Sequence, residues 1–301
     1  MIEAFLEILG AAFRVGTPIA LASSGELISE RAGVLNLGIE GTMYVGAFVG
    51  VMVAAATGSL WIGLAAAIAA GVAAGLLMSF LSVTLGVNQH VAGLGITLAL
   101  IAVSNTVNRI LYTDTGTQAK VEPWSPMFES LGAPFSQYWL TYATFLIVIP
   151  GVWFLLNRTG MGLKIRAVGE NPEAADAAGI RVSLVRYLAV TSGAALMAMG
   201  GAFITLAFIG SFTINIIAGR GWVALALVIF GRWKVRGMLI GTILFSFVYA
   251  MQNRLRLIPG FADIPYEILL ALPYVAVIIG LAISGRRMRY PGAYLKPYRR
   301  S

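Results

Sequence analysis

The sequence predicts an all-α, polytopic membrane protein with about 8–10 transmembrane helices. Of its 301 residues, 58% are hydrophobic and only 11% are charged, whereas an ordinary soluble domain has about 25% charged residues. Apolar runs of about 20 residues, long enough to cross a bilayer, recur from Trp61 to the C-terminal third. Elements of a soluble core instead alternate apolar with polar residues, because half of each element faces water. These observations exclude a soluble fold.

Composition also excludes several kinds of chemistry. The chain has no Cys and a single His, so the sequence predicts no disulfide, no thiolate or His-built metal site and no Cys nucleophile. A net charge of +8 would favour nucleic acid as the partner of a soluble protein. A membrane protein, however, needs basic loops to fix its orientation in the lipid. We therefore interpret the charge as topological and expect membrane lipid, not nucleic acid, around this chain.

The apolar windows predict about nine spans. The first, from Met1 to about Ser24, has Glu3 and Glu7 where a signal peptide would be basic and is expected to be retained. Two of the spans begin in polar or Gly-rich sequence and are predicted to be broken or re-entrant helices, namely those near 36–57 and 216–231. The candidate spans lie near 5–24, 36–57, 59–83, 88–111, 137–157, 185–208, 216–231, 237–256 and 266–284.

Basic residues fall into three clusters, which the positive-inside rule places in the cytoplasm. Counting back through the spans then places Met1 and the loop 113–137 outside, although Arg254 and Arg256 also fall on the outer side. We expect one transmembrane permease domain over 1–301, with a cytoplasmic loop at 158–184 and a basic cytoplasmic tail at 285–301. The clusters are Arg158, Lys164, Arg166, Arg181 and Arg186; Arg232, Lys234 and Arg236; and Arg286, Arg287, Arg289, Lys296, Arg299 and Arg300.

The order of the spans suggests two related halves. One span, a Gly-rich polar segment and three further spans occur twice, at an offset of about 180 residues, with the span 137–157 between the two sets. An odd intervening span inverts the second half, and in transporters with inverted repeats the substrate route lies between the repeats. The alternative is an accidental resemblance between two Gly-rich membrane segments.

Five polar or aromatic residues are candidates for a substrate path. Asn36 and Glu40 are four residues apart and would share a face of a helix. An ionisable residue at membrane depth usually faces the protein interior or a water-filled route; alternatively, Glu40 caps a neighbouring helix end or lies at headgroup level. Asn88 and Asn105, near the two ends of the fourth span, are further candidates. Trp222 is the fifth, and it also suits an interfacial anchor.

The loop between the fifth and sixth spans contains a predicted two-turn helix over 171–178. Asn171 is a good N-cap, Pro172 suits the first helical position and Gly179 suits the C-terminal stop. So short a helix is unstable alone in water and must dock on its own membrane domain or on another protein. The alternative is a surface turn.

Missing motifs argue against an enzyme. The sequence contains no G-x-x-x-x-G-K-[ST] phosphate loop, so the chain itself is not expected to hydrolyse ATP. It also lacks G-x-S-x-G, H-E-x-x-H and a paired intramembrane carboxylate of a hydrolase. No residue is therefore predicted to be catalytic.

Three stretches resemble a known family. The run 25–41 (GELISERAGVLNLGIEG) resembles a signature of the membrane subunits of bacterial ABC importers for nucleosides, within the larger simple-sugar and branched-chain amino acid permease group. The stretch 166–180 (RAVGENPEAADAAGI) is similar to the coupling loop of that family, and 219–233 to its later block. His90 matches no pattern of the family.

The resemblance implies a set of partners and a role for the short helix. The partners would be a second related permease, two ATP-binding subunits that hold the ATP and Mg, and an outer substrate-binding lipoprotein, while this chain would bind no cofactor. The helix would insert into an ATPase subunit in a bacterial inner membrane. The residues implied in this coupling are Arg166, Glu170, Asn171, Pro172, Glu173, Ala174, Ala175, Asp176 and Gly179.

The sequence leaves alternatives open. A secondary transporter would use Glu40 as the ion-coupling carboxylate, and a membrane enzyme would need a catalytic set that the sequence does not contain. Within the importer interpretation, nucleosides are expected, with ribose-like sugars and branched-chain amino acids as alternative substrates. The partner permease could be a homologue or a second copy of this chain.

Overall fold

The computed structural model describes residues 2–112, 119–255, 266–285, 290–296 and 298, and in these residues the fold is all-α. Three spans contain a π-helical turn, at Phe80–Thr84, Thr144–Val148 and Ile204–Ile209. The helices are α1 (Ile2–Arg31), α2 (Ile39–Thr57), α3 (Leu60–Ser79), α4 (Gln89–Tyr112), α5 (Trp139–Ala143), α6 (Ile149–Arg158), α7 (Gly160–Glu170), α8 (Pro172–Ala177), α9 (Val182–Phe203), α10 (Arg220–Phe230), α11 (Val235–Leu255) and α12 (Tyr266–Gly285).

The fold class agrees with the prediction. Seven helices of the described chain are long and apolar enough to cross a membrane, and two shorter apolar helices, Arg220–Phe230 and Ile268–Gly280, accompany them. Each predicted span overlaps one of these nine helices. The protein is thus a polytopic all-α membrane protein.

Of the two spans that were predicted to be broken or re-entrant, only the later one is broken. Helix α2 begins at Ile39, after a turn in which Gly33 has φ +85°, but its 19 residues form one continuous helix that is long enough to cross a membrane. Helix α10 has 11 residues and is therefore about 16 Å long, roughly half of a 30 Å hydrocarbon core. The non-helical segment 211–219 covers the rest of this crossing. Asn36 lies in the turn before α2, so the expected helical face shared by Asn36 and Glu40 does not exist.

The helices pack as two halves that run in opposite directions. Helix α1 packs along α9 and α11, and correspondingly α9 packs along α1 and α3; α2 contacts α4 and α9, as α10 contacts α12 and α1. Gly25 of α1 lies against Gly193 of α9, and Gly200 of α9 lies against Pro18 of α1, so the two central helices are antiparallel. The packing therefore shows the predicted inverted halves. The α5–α6 span belongs to neither half.

The described parts of the three basic clusters meet at one end of the bundle, called here the basic end. Ala293 N donates to Gly169 O at 2.9 Å, Arg186 Nη1 donates to Lys296 O at 3.3 Å, and the Trp233 ring packs on Tyr290. The other basic tail residues Arg286, Arg287, Arg289, Arg299 and Arg300 lie outside the described residues, as do 113–118 and Arg256.

The opposite end is closed by a loop and an ion pair. Val121 N donates to Gly210 O at 2.9 Å and Trp124 N donates to Leu206 O at 3.0 Å, which fixes the loop on the π-helical turn that follows α9. Arg254 forms an ion pair with Glu7. The predicted topology places the positive charge of Arg254 on the outer side, where basic residues are unexpected; Glu7 is its partner there.

The predicted short helix is present as α8, but a helix before it was not predicted. The Asn171 side chain accepts from Ala174 N at 3.0 Å, as expected of an N-cap. Helix α7 was missed because three glycines lower its helix propensity. Two of them are needed for packing: a Cβ would lie 1.9 Å from Leu155 O at Gly162 and 2.1 Å from Arg31 O at Gly169.

Candidate functional site

The N-termini of α2 and α10 meet, and Glu40 joins them. Its carboxylate accepts from Gly219 N at 2.8 Å and from Gly221 N at 2.7 Å. These N–H groups lie at the start of α10, where an anionic group is favoured by the free donors and by the helix dipole. Close approach is possible because Gly221 has no side chain; a Cβ there would lie 2.6 Å from Glu40 Oε2. Glu40 therefore caps a helix of the other half.

Asn36 is buried in the turn that leads to α2. Its Oδ1 accepts from Gly38 N at 3.0 Å, and its own N–H donates to Glu26 Oε1 at 2.9 Å. The turn is also tied to the fourth span, because Leu35 N donates to Gln89 Oε1 at 2.7 Å. These bonds hold the turn in place and leave Asn36 facing the protein.

A second buried cluster lies nearer the basic end and was not predicted. It contains two neighbouring carboxyl groups within the first span, so the expectation that the chain has no paired intramembrane carboxylate was wrong. Glu26 and Glu30 of α1 are fully buried, and Glu30 accepts from the indole N–H of Trp233. Tyr290 and Tyr294 of the C-terminal segment pack their rings on Trp233, with ring centroids 4.9 Å and 5.9 Å from it. Burial and the nearby Glu30 carboxyl raise the pKa of Tyr294. The signal for this cluster was present as two Glu residues, one helical turn apart, in an apolar helix.

Asn105 joins the fourth span to Tyr44 of α2, which in turn contacts the segment before α10. The Asn105 Oδ1 accepts from the Tyr44 hydroxyl at 2.6 Å, and the Tyr44 ring packs edge-on against Phe212 of the segment, with ring centroids 5.3 Å apart. Arg220 Nη1 donates to Ile216 O at 3.1 Å and to Ile217 O at 2.9 Å. The side chains of Tyr44 and Arg220 thus hold the non-helical segment.

The predicted path residues do not form one cluster. Glu40 contacts Gly219 and Gly221, whereas Asn105 contacts Tyr44 of α2. Trp222 follows Gly221 in α10 and is half-buried. Asn88 is exposed, and its Oδ1 accepts from His90 N at 2.9 Å. Asn88 is therefore a local cap of α4, separate from the other candidates.

Helix α8 has one exposed face and one packed face. Asn171, Glu173 and Ala174 are exposed, with Ala177 and Ala178 beside them, whereas Ala175 is buried. The exposed face is small and carries one carboxylate. It is at the basic end, where it is free to contact another protein.

The remaining charged residues of the predicted coupling set face their own chain. Asp176 Oδ2 accepts from the Tyr298 hydroxyl at 3.1 Å, Glu170 Oε2 accepts from Gly292 N at 3.3 Å, and Arg166 Nε donates to Gly162 O at 3.4 Å. Pro172 starts α8, and Gly179 has φ +83° at its end. The C-terminal segment thus links α8 to the cluster around Glu30.

The family is shown by comparison with known proteins. Residues 8–284 match the family model described as branched-chain amino acid transport system / permease component. The chain belongs to this permease family. It is therefore the membrane permease component of an ABC transport system, which works with ATPase and substrate-binding partners, and it is a multi-pass protein of the cell membrane.

Relatives of the permease have two kinds of named substrate. A putative glucose ABC transporter permease protein of Haloferax volcanii is 38% identical over 82% of this chain and 77% of its own. A guanosine ABC transporter permease protein of Bacillus subtilis is 32% identical over 97% and 96%, and a nucleoside ABC transporter permease protein of Lactococcus lactis is 31% identical over 89% and 88%. No solved structure matches the chain.

Proposed function

We propose that this permease forms the translocation path of a nucleoside importer and receives the ATP-driven movement through α8. The observation that carries the coupling role is the exposed face of α8 at the basic end, held by its cap and by the contact of Asp176 with Tyr298. An isolated six-residue helix would not persist in water. Its contacts hold it in a fixed position, so that a displacement of α8 is passed on to the membrane helices.

The proposed assembly has this chain as one of two related permeases in a heterodimer. Two cytoplasmic ATPase subunits hold the ATP and Mg, and an outer lipoprotein delivers the substrate. The permease lies in a bacterial inner membrane with its C-terminus in the cytoplasm, since the described parts of the three basic clusters share one end and basic loops favour the cytoplasmic side.

The cargo is proposed to be a nucleoside because two relatives that match about nine-tenths or more of this chain are named for nucleosides. The glucose relative is more similar but covers less of the chain, so a glucose-like sugar is the second candidate cargo. Competition decides between them: unlabelled nucleoside should suppress uptake of labelled guanosine by the assembled transporter, and excess glucose should not. Uptake of labelled glucose without any uptake of labelled guanosine would reverse the assignment.

The coupling role is tested by reversing the charge on the exposed face of α8. We expect Glu173→Lys to remove the ATPase that copurifies with the solubilised permease and to abolish ATP-driven uptake, because a docking face loses its carboxylate. Mass spectrometry of the copurified proteins also shows whether the second permease differs from this chain.

Glu129→Lys is the matched control. Glu129 is an exposed glutamate in a short helix at the opposite end. The Glu129→Lys variant should therefore retain both the copurifying ATPase and ATP-driven uptake. Normal copurification and uptake with Glu173→Lys would reject the proposed docking face.

A further inference from the structure

The segment 211–219 crosses part of the membrane without forming a helix. Gly210, at one end, is bonded to the loop of the opposite end through Val121 N. Helix α10 begins at Arg220 and has 11 residues before the basic-end turn, so Gly219 lies about 16 Å from that turn, near the middle of the bilayer. The non-helical backbone is therefore at hydrocarbon depth.

Part of this backbone is exposed. Thr213, Asn215 and Ala218 are exposed, and Ile214 is 70% exposed. Within the segment Ile216 N donates to Thr213 O at 3.2 Å, but the Ile214 N–H has no hydrogen bond among the described residues. Lipid cannot satisfy free backbone donors, and irregular backbone at membrane depth occurs only against protein or water. This face is consequently not a lipid-facing surface.

The side chains around the exposed backbone suit a polar solute with a ring. The Tyr44 hydroxyl donates to Asn105 Oδ1 at 2.6 Å, and the Tyr44 ring packs on Phe212 of the segment. The Tyr274 hydroxyl donates to Ala218 O at 3.4 Å. Asn amides bond to hydroxyl groups in either direction, and aromatic faces stack on bases. Both properties match a nucleoside better than an apolar amino acid.

We propose that 213–218, with Asn105 and Tyr274, form a water-exposed wall of the translocation route along which the nucleoside passes. The identity of the cargo in this inference rests on the proposed function. The presence of water at this wall is independent of the proposed function. Its contacts are few and adaptable, as a route requires, since a transported solute must leave as readily as it enters.

The absence of Cys from the chain allows a direct test with single cysteines. Ile214→Cys is compared with Ile147→Cys in the assembled transporter in membrane vesicles, using a charged, water-soluble methanethiosulfonate reagent. The two isoleucines are a matched pair, 70% and 69% exposed, but Ile147 lies in the continuous α5–α6 span. We expect Ile214→Cys to react at least about ten-fold faster, because the reactive thiolate forms in water and not in hydrocarbon.

Protection by solutes then identifies the cargo. Guanosine should slow the modification of Ile214→Cys, whereas glucose should not. Protection by glucose alone would support the water-exposed wall and reject a nucleoside as the cargo. Reaction that neither solute slows would overturn the route, and so would a rate equal to that of Ile147→Cys.

Two further measurements keep these outcomes separate from misfolding and from failure of the proposed function. Asn215→Cys, whose parent side chain is exposed in the same segment, repeats the labelling if Ile214→Cys does not assemble. A disulfide between Ile214→Cys and a cysteine on a partner permease would show a protein contact and overturn the water-exposed wall. ATP-driven uptake by the unmodified chain is measured in parallel, so loss of coupling is scored independently of thiol reactivity.

Discussion

At the scale of single residues, the contact of Glu40 with α10 explains why a carboxylate lies within the membrane-spanning part of the chain. Its two oxygens are both used as acceptors by backbone N–H groups of the other half. A carboxylate in this position needs no coupled ion to explain it, because it satisfies donors that a helix start would otherwise leave free. The structure therefore favours the capping alternative for Glu40 over an ion-coupling role.

Replacing Glu40 by Gln tests this interpretation. The amide oxygen can accept from one of Gly219 and Gly221, while the amide nitrogen would face the other N–H and leave it unsatisfied. We expect Glu40→Gln to destabilise the protein by about 1–3 kcal/mol, seen as a lower thermal unfolding midpoint in mild detergent. Glu173→Gln, on the exposed face of α8, should leave the midpoint unchanged.

The opposite pattern would assign Glu40 to transport. If Glu40→Gln kept the unfolding midpoint but made uptake insensitive to a collapsed ion gradient, the carboxylate would be an ion-coupling group.

The sequence predicted which residues are unusual better than it predicted their partners. Glu40 was identified from its depth, and Asn171 from its position before Pro172. The partners of Glu40 are 179 and 181 residues away, and Trp233 is 203 residues from Glu30. Such contacts depend on how helices cross, which local patterns do not encode; hence the cluster around Glu30 and Trp233 was missed.

At the scale of elements, the crossing of α1 and α9 explains how polar groups come to meet at the centre. A Cβ at Gly25 would lie 2.2 Å from Gly193 O, and one at Gly193 would lie 2.4 Å from Gly25 O. In lipid, close backbone approach at small residues is a main source of helix association. The two glycines set the distance between the halves.

Gly25→Ala is therefore expected to separate α1 from α9 and to lower the unfolding midpoint. Gly95→Ala is the matched control, because Gly95 also lies within a helix but has no atom within 4 Å of the added Cβ. There the change should be neutral or stabilising by up to about 1 kcal/mol, since Ala is the better helix former. Equal midpoints for both variants would show that the crossing tolerates a methyl group.

Element boundaries followed the local sequence where a cap or a break was strong. The Gly-rich starts of the spans near 36–57 and 216–231 predicted broken helices. The structure confirms this for α10, which has 11 residues, whereas the prediction was wrong for α2, a continuous helix of 19 residues. Helix α7 was missed, because its glycines serve packing against Leu155 and Arg31 and not a turn. A single sequence does not distinguish these two uses of glycine.

At the scale of the whole molecule, the C-terminal segment connects α8, the proposed docking helix, to the cluster around Glu30. It contacts α7 through Gly169 and Glu170 and α8 through Asp176. It reaches the cluster around Glu30 through the rings of Tyr290 and Tyr294, which pack on Trp233. A displacement of α8 would thus reach α1 and the α10–α11 turn without passing through the lipid-facing helices. This arrangement is what a permease needs if force enters at the basic end and the route lies between the halves.

This force path requires that the basic end faces the cytoplasm, where ATP is available. The expectation is tested with two cysteines on the cysteine-free chain: Lys296→Cys at the basic end and Glu129→Cys at the opposite end, both at exposed positions. In intact cells a membrane-impermeant maleimide should label Glu129→Cys, and Lys296→Cys should be labelled only after permeabilisation. The reverse pattern would place α8 outside, away from ATP, and would reject coupling through α8 whatever the cargo.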